Sequence, residues 1–174
     1  VFLSVQAGVP TEQVRDSTNK LLAVFEDPYF SEDSRSDERR ERIIEVADER
    51  IDWYALCRSC LGRHWTKRTK EEKKEFINLL SEFLQYNYAN LIINSFTNLK
   101  EIKYPKERVD ERSAYVRIEI IDEEDVVYPL GYRLIQKSDS DDWEIIDINI
   151  EGVGMVKNYR TQFDDIIRKF SFDE

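Results

Sequence analysis

WEIIDINIEGVGMVKNYRTQF, residues 143–163, is the stretch that decides how this chain folds. Its first half is rich in isoleucine, which is typical of a buried strand, and Glu151-Gly152 then lead directly into an amphipathic helix. The stretch contains no nucleophile beside a base, no cluster of metal ligands and no glycine-rich phosphate loop. It therefore favours a shaped apolar interior over a catalytic site.

The composition sets limits on the fold and on the partners. The chain has 174 residues, of which 41% are hydrophobic, so it can bury the core of one ordinary domain. Its 36 acidic and 26 basic residues give a net charge of −10, which disfavours a nucleic-acid partner. The most basic segment, residues 63–74, also contains Glu71 and Glu72. We therefore expect no nucleic-acid partner.

The first seven residues, VFLSVQA, are apolar and end in Val5-Gln6-Ala7, which fits the small-residue rule for signal peptidase. They predict the remnant of a signal peptide and hence export, the alternative being an ordinary N-terminal segment. The rest of the chain has no apolar run near the roughly 20 residues that a membrane span needs. We expect one soluble domain over residues 8–174, helical over residues 10–97, with a sheet and a closing helix over residues 98–170.

The N-terminal half predicts helices. Apolar residues recur at helical intervals over residues 10–25, again near Ile43 and Val46, and over residues 53–61. The strongest pattern opens at Thr66 or Thr69 and repeats apolar residues every three or four positions. This longest helix is the clearest single element in the sequence.

The pattern changes to a period of two after Asn98. Three segments around residues 116–120, 126–137 and 143–150 alternate apolar and polar residues, and polar turns separate them. Residues 99–104 supply an opening strand. The sequence therefore predicts an α+β fold, with a curved antiparallel sheet of about four strands, helices packed on its concave face and a helical N-terminal half.

Cys57 and Cys60 have the spacing of redox dithiols, zinc sites and haem attachment. Leu61 stands where haem attachment needs His, and only His64 is nearby as a further zinc ligand. A thioredoxin-like site places its first Cys at a helix N-terminus, whereas Cys57 lies inside a helical pattern. We expect the two residues to pack as small side chains or to form a local disulfide, which their helical spacing allows. A thiol redox protein is the alternative.

The other candidates for chemistry have structural explanations. His64, the single histidine, lies near a helix end, where a cation favours the helix dipole. Asp147 interrupts an apolar strand and is either a buried, hydrogen-bonded acid or a residue that faces water. The glycines Gly152 and Gly154 lack the pattern of a dinucleotide loop and suit a change of chain direction. We expect no catalytic residue and no metal site.

Several short motifs keep their order along residues 10–170. They are Asp52-Trp53, Leu61-Gly62-Arg63-His64-Trp65, Phe76, Tyr88, Tyr132-Arg133-Leu134, Asp147-Ile148-Asn149-Ile150-Glu151-Gly152-Val153 and Asn158-Tyr159-Arg160-Thr161-Gln162-Phe163. Together they resemble the MlaC, or toluene-tolerance, family of periplasmic phospholipid-binding proteins. Two departures are visible, because Gly154 stands where the family often carries Ser, and Cys57 and Cys60 replace small residues.

The resemblance implies a monomeric periplasmic carrier rather than an enzyme. Such a carrier belongs to a lipid transport system that maintains outer-membrane lipid asymmetry. It moves phospholipid between an outer-membrane complex of lipoprotein and porin and an inner-membrane ABC transporter complex. The resemblance implies no cofactor, only bound phospholipid as cargo.

One apolar surface fits that role. The inner positions of three strands would face the long helix, and the closing helix would cover one end. The expected lipid-binding residues are Leu80, Phe83, Leu84, Tyr88, Val116, Ile118, Ile120, Leu130, Tyr132, Leu134, Ile146, Ile148, Ile150, Tyr159 and Phe163. The same surfaces could instead pack solidly, and the chain would then be a non-catalytic interaction module without a cavity.

Overall fold

The structure, a computed structural model, describes residues 9–172. Residues 1–7, interpreted above as the remnant of a signal peptide, lie outside the described residues. Helices occupy the first half of the described chain, as α1 (Val9–Glu26), α2 (Ser36–Asp48), α3 (Trp53–Leu61) and α4 (Lys70–Thr97), with 3-10 turns at Pro28–Ser31, Asp33–Arg35 and Gly62–Lys67. None of the described helices is both long and apolar enough to cross a membrane.

An antiparallel sheet and a closing helix form the second half. The strands are β1 (Leu99–Asp110), β2 (Ser113–Asp122), β3 (Val127–Gln136), β4 (Trp143–Ile150) and β5 (Val153–Gly154), followed by α5 (Met155–Lys169). They are hydrogen-bonded in the order β1-β2-β3-β4-β5. The predicted α+β class, a curved antiparallel sheet with helices, is confirmed, with one short strand more than expected.

The additional strand, β5, moves the start of the closing helix. Glu151 and Gly152 have positive φ values of 49° and 88°, which make the tight turn that pairs Val153 with Ile150. Gly152 adopts this conformation easily because it has no Cβ, as the sequence indicated. Because residues 153–154 pair with β4, α5 begins at Met155 and not near Val153 as predicted.

The inner face of the sheet packs against α1 and α4. Alternate residues of β2 are buried, and around Ile118 they form one core with Val14 of α1 and Phe96 of α4. A second core joins α3, α4 and α5 around Cys57 and Cys60. The period-two pattern of β2 therefore has the predicted consequence, one buried face.

A bulge in β4 changes which isoleucines face the helices. Arg133 pairs with Asp147, but the next residue of β3, Leu134, pairs with Ile145, so Ile146 is the extra residue. A bulge shifts the alternation of a strand by one position. Ile145 therefore takes the inner position before the bulge and Ile148 takes it afterwards. The prediction that Ile146 shares a face with Ile148 and Ile150 is wrong.

The two edges of the sheet differ. Beside β4, residues 50–52 run along the strand, where Ile145 N donates to the Arg50 carbonyl at 2.7 Å and Asp52 N donates to the Ile145 carbonyl at 3.0 Å. At the other edge, the register of β1 breaks between Lys103 and Lys106, around Pro105. The first edge is thus covered by the chain itself, and the second is irregular.

Side-chain caps fix the starts of two helices that position the site. Thr69 and Glu72 form a reciprocal capping box, so Thr69 opens α4 as one of the two predicted residues. Asp147 of β4 accepts a hydrogen bond of 2.9 Å from the Val156 amide and thereby caps α5. Asp147 is only 8% exposed, so it is the buried, hydrogen-bonded acid of the two alternatives.

Candidate functional site

An apolar cavity of about 150 Å³ lies between the inner face of the sheet and helices α1, α2 and α4. The strands contribute a floor of large aliphatic residues and one tyrosine. These are Ile118, Ile120, Leu130, Tyr132, Ile145 and Ile148. The sheet and the helices therefore do not interlock completely. The alternative of a solidly packed interior does not describe this structure.

Seven of the residues expected to contact lipid line this cavity. They are Leu84, Tyr88, Ile118, Ile120, Leu130, Tyr132 and Ile148. The α4 members lie one turn apart and face the β-strand members across the space. The sequence pattern thus located the two opposing walls, while lipid contact itself remains a prediction.

The other eight expected residues fall in two groups. Leu80, Phe83, Tyr159 and Phe163 line a separate groove between α4 and α5. The remaining four, Val116, Leu134, Ile146 and Ile150, line neither of these two spaces. Val116 and Leu134 are 0% and 1% exposed because they pack in the solid core, and Ile146 sits at the bulge.

The sequence prediction missed the wall that α1 and α2 provide. Val14, Leu21, Ile44 and Ala47 line the cavity from these helices, and Ile145 replaces Ile146 in β4. The apolar stripe of α1 was a usable signal, because its residues must cover something. Which surface they cover depends on tertiary packing, so periodicity alone did not assign them.

Polar groups lie at the border of the cavity. Gln85 Nε2 donates to Asp48 Oδ2 at 2.5 Å, joining α4 to α2. Partial burial raises the pKa of Asp48 above its usual value, and the hydrogen bond from Gln85 opposes that shift. Arg50 donates to Gln13 Oε1 at 2.7 Å and to the Trp143 carbonyl at 3.1 Å, so it ties α1 to β4.

Two tyrosines stand between the cavity and the α4–α5 groove. Tyr88 lines the cavity, Tyr159 lines the groove, and both pack against the same buried cluster. Burial raises the pKa of Tyr159, and the neighbouring Tyr88 hydroxyl adds to this effect. The Tyr159 phenol therefore stays neutral at physiological pH, as suits a boundary between two apolar spaces.

The cysteines have the properties of core residues. Cys57 and Cys60 are both free thiols with 0% exposure, so the local disulfide weighed from the sequence does not form and the packing alternative holds. Burial raises the pKa of each thiol to about 12. The thiolate is the reactive form of cysteine, so the pair is poorly suited to redox chemistry at neutral pH.

His64 connects the segment after α3 to α5. Its Nε2 lies 2.7 Å from Asp164 Oδ1, and Arg63 Nη2 lies 2.6 Å from the same oxygen. The hydrogen bond with His64, with a smaller contribution from Arg63, lowers the pKa of Asp164. The structural role predicted for His64 thus includes a hydrogen bond to Asp164. Within residues 9–172, no three His, Cys, Asp or Glu side chains are grouped as metal ligands would be.

The comparison with known families identifies the fold. Residues 15–174 match the family model described as MlaC protein. The chain belongs to the MlaC family. The resemblance inferred from the short motifs is therefore confirmed over almost the whole chain.

Named relatives of this chain carry MlaC-type descriptions. A toluene tolerance protein, ttg2D, of Pseudomonas putida is 21% identical over 169 residues, which cover 97% of this chain and 77% of that protein. An intermembrane phospholipid transport system binding protein, MlaC, of Haemophilus influenzae is 25% identical over 114 residues, 65% of this chain and 53% of that protein.

A solved structure shares the MlaC fold. It is the phospholipid-binding protein from Ralstonia solanacearum, in complex with a phospholipid. The two chains superpose with a TM-score of 0.75 at 22% identity, covering 91% of this chain and 87% of the other. At this identity the match establishes the common architecture of sheet and helices.

Proposed function

We propose that this chain is a periplasmic phospholipid carrier that encloses acyl chains between its sheet and its helices. The observation that carries the proposal is the apolar cavity beneath α1, α2 and α4 in a chain of the MlaC family. The named relatives add support, since one is described as a phospholipid transport binding protein and another was solved with a phospholipid.

The energetics of lipid transfer suit a carrier rather than an enzyme. Two acyl chains expose on the order of 30 methylenes to water, at about 0.8 kcal/mol each, so a free lipid almost never leaves a bilayer. A dry apolar wall removes most of that barrier without any covalent step. Because the bilayer interior and the cavity are both apolar, direction must come from partners or from ATP hydrolysed elsewhere.

The size of the cavity adds a mechanical requirement. An apolar cavity of about 150 Å³ accepts a group the size of one benzene ring, which is far smaller than a lipid tail. Loading must therefore widen the space between the helices and the sheet, or extend it into neighbouring apolar space. Such widening would strain two hydrogen bonds at the border, Gln85 with Asp48 and Arg50 with Gln13.

Membership of the MlaC family supports the partners that we propose. The proposed mechanism also needs them, because the carrier itself consumes no ATP. We propose that the chain works as a monomer between an outer-membrane lipoprotein complex and an inner-membrane ABC transporter complex. Phospholipid is its cargo and no cofactor takes part. The buried thiols of Cys57 and Cys60 make the redox alternative the weaker one.

Lipid content tests the proposal directly. Protein purified without detergent should release phospholipid on organic extraction, in near-stoichiometric amount by mass spectrometry. Delipidated protein should also take radiolabelled phospholipid from vesicles. Gently prepared protein that repeatedly carries no lipid, and that accepts none from vesicles, would refute the carrier function.

A further inference from the structure

A second apolar space, the α4–α5 groove, lies outside the cavity described above. It encloses about 800 Å³ and is lined mainly by aromatic and aliphatic side chains. The residues that line it from α4 and α5 include Phe76, Leu79, Leu80, Phe83, Tyr159 and Phe163. It is several times larger than the cavity beneath the sheet.

The groove keeps large apolar side chains in contact with water. Leu79 is 61% exposed and Phe83 is 50% exposed, although both belong to the apolar side of α4. The aromatic rings form a connected row, with Phe76 and Phe163 centroids 5.1 Å apart and Phe83 and Tyr159 centroids 6.0 Å apart. An exposed apolar row of this kind indicates a surface that is covered in use.

The groove and the cavity border the same buried cluster of side chains. Leu80 lines the groove and Leu84, one turn further along α4, lines the cavity, and both belong to one buried cluster. Tyr88 of the cavity and Tyr159 of the groove pack against the same cluster.

We infer that the α4–α5 groove is a second hydrocarbon site, which holds one acyl chain of the lipid whose other chain enters the cavity. The inference rests on the proposed carrier function and specifies how a two-chain lipid is held. The Tyr88–Tyr159 pair then divides the two chains, and the groove supplies volume that the cavity of about 150 Å³ lacks.

The charges around the groove favour a neutral hydrocarbon occupant. Glu72 and Glu75 lie on its border, and the whole chain has a net charge of −10. Both features oppose contact with an anionic membrane surface. An acyl chain has no charge to repel, and it matches the lining chemically.

Binding of two-chain and one-chain lipids to the same variant provides the test. Phe83→Asp places a charge in the groove, and Tyr86→Asp is the matched control, because Tyr86 is exposed on the same helix but outside the groove. We expect Phe83→Asp to weaken binding of a diacyl phosphatidylglycerol by at least about tenfold, since the carboxylate must be desolvated beside the chain. Binding of the corresponding lysophospholipid should be unchanged, and Tyr86→Asp should bind both lipids as the parent does.

The outcomes separate this inference from the carrier function. Parent protein that binds diacyl lipid, together with a Phe83→Asp variant that binds it equally well, would refute the second site and leave the carrier function standing. Parent protein that binds no lipid would refute both. Equal loss of diacyl and lysophospholipid binding in Phe83→Asp would also contradict the division of the two chains.

A labelling experiment tests whether an acyl chain occupies the groove without adding a charge there. Leu79→Cys introduces a thiol at an exposed position of the groove, while the native thiols are buried and do not compete. Diacyl phospholipid should slow maleimide labelling at position 79 by more than about tenfold, since reaction then requires the chain to leave. Tyr86→Cys should be labelled at the same rate with and without lipid. Unprotected labelling at position 79 in lipid-loaded protein would overturn the inference.

Discussion

On the outer face of the sheet, the Tyr115 side chain leaves no room for a side chain at Gly131. The Tyr115 ring crosses β3 above Gly131, and a Cβ at position 131 would lie 2.4 Å from the tyrosine Oη. Such aromatic cover of a strand glycine compensates for the side chain that glycine lacks. We expect Gly131→Ala to lower the free energy of unfolding by about 1–3 kcal/mol through overpacking.

Urea denaturation of a double-mutant cycle checks this expectation. In a Tyr115→Ala background the clash is removed, so Gly131→Ala should be close to neutral. Equal losses in both backgrounds would mean that the ring does not restrict position 131.

The buried thiols predict a pH dependence of stability. Cys57 and Cys60 have pKa values of about 12 in the folded chain against an ordinary value of 9.0, so only the unfolded chain ionises readily. Their contribution is complete below pH 9 and is lost as the pH rises toward 12, at up to about 1.4 kcal/mol per pH unit for each thiol. The free energy of unfolding should therefore fall faster between pH 9 and pH 11 in the parent than in a Cys57→Ala/Cys60→Ala variant. Parallel curves from chemical denaturation would contradict the assignment.

Among the elements, α5 depends on a residue from another element. Asp147 lies on β4, yet it accepts the Val156 amide at the start of α5, while Gly154 at the N-cap position has no side chain to do so. We expect Asp147→Ala to lower the free energy of unfolding by about 1–2 kcal/mol, the range for loss of a helix cap. Thermal and urea unfolding measure the loss, with Asp139→Ala in an exposed turn as the control. Similar stability in the two variants would show that Asp147 does not cap the helix.

The elements show where sequence patterns succeed. The period-two strands and the long α4 follow from local alternation and from the capping box at Thr69, so they were predictable. The bulge at Ile146 was not, because it is defined by the pairing of β4 with Arg133 and Leu134 of β3. Cross-strand register is a tertiary property. The isoleucines of β4 are apolar on both faces, so their sequence does not indicate which of them point toward the helices.

In the candidate site, too, local patterns predicted some features and tertiary packing decided the others. The walls formed by Ile118 and Leu84 were predictable, since each belongs to an amphipathic element whose apolar side must be covered. The contribution of α2 and the separation of Phe83 and Tyr159 into a second groove were not. Both depend on how helices cross, which residue spacing along the chain does not specify.

For the molecule as a whole, the cavity is the feature that the carrier function requires. Ile118 lies on its floor and is 1% exposed. Ile118→Glu should abolish lipid occupancy, because an unpaired charge beside acyl chains is costly to bury. Ile118→Phe, which fills the space without a charge, should reduce occupancy in a folded protein.

Lipid per protein, measured by mass spectrometry beside circular dichroism, tests both changes. Arg117→Gln alters the neighbouring exposed residue on the opposite face of β2 and should leave the lipid content unchanged. Full occupancy in a folded Ile118→Phe or Ile118→Glu variant would place the lipid elsewhere.

The irregular edge at β1 has a consequence for the association of two molecules. The strand carries Lys100, Glu101, Lys103, Lys106, Glu107 and Arg108, and Pro105 has no amide hydrogen to offer a neighbouring strand. A second molecule therefore finds no continuous row of donors and acceptors along which to extend the sheet. This edge therefore disfavours sheet extension between molecules.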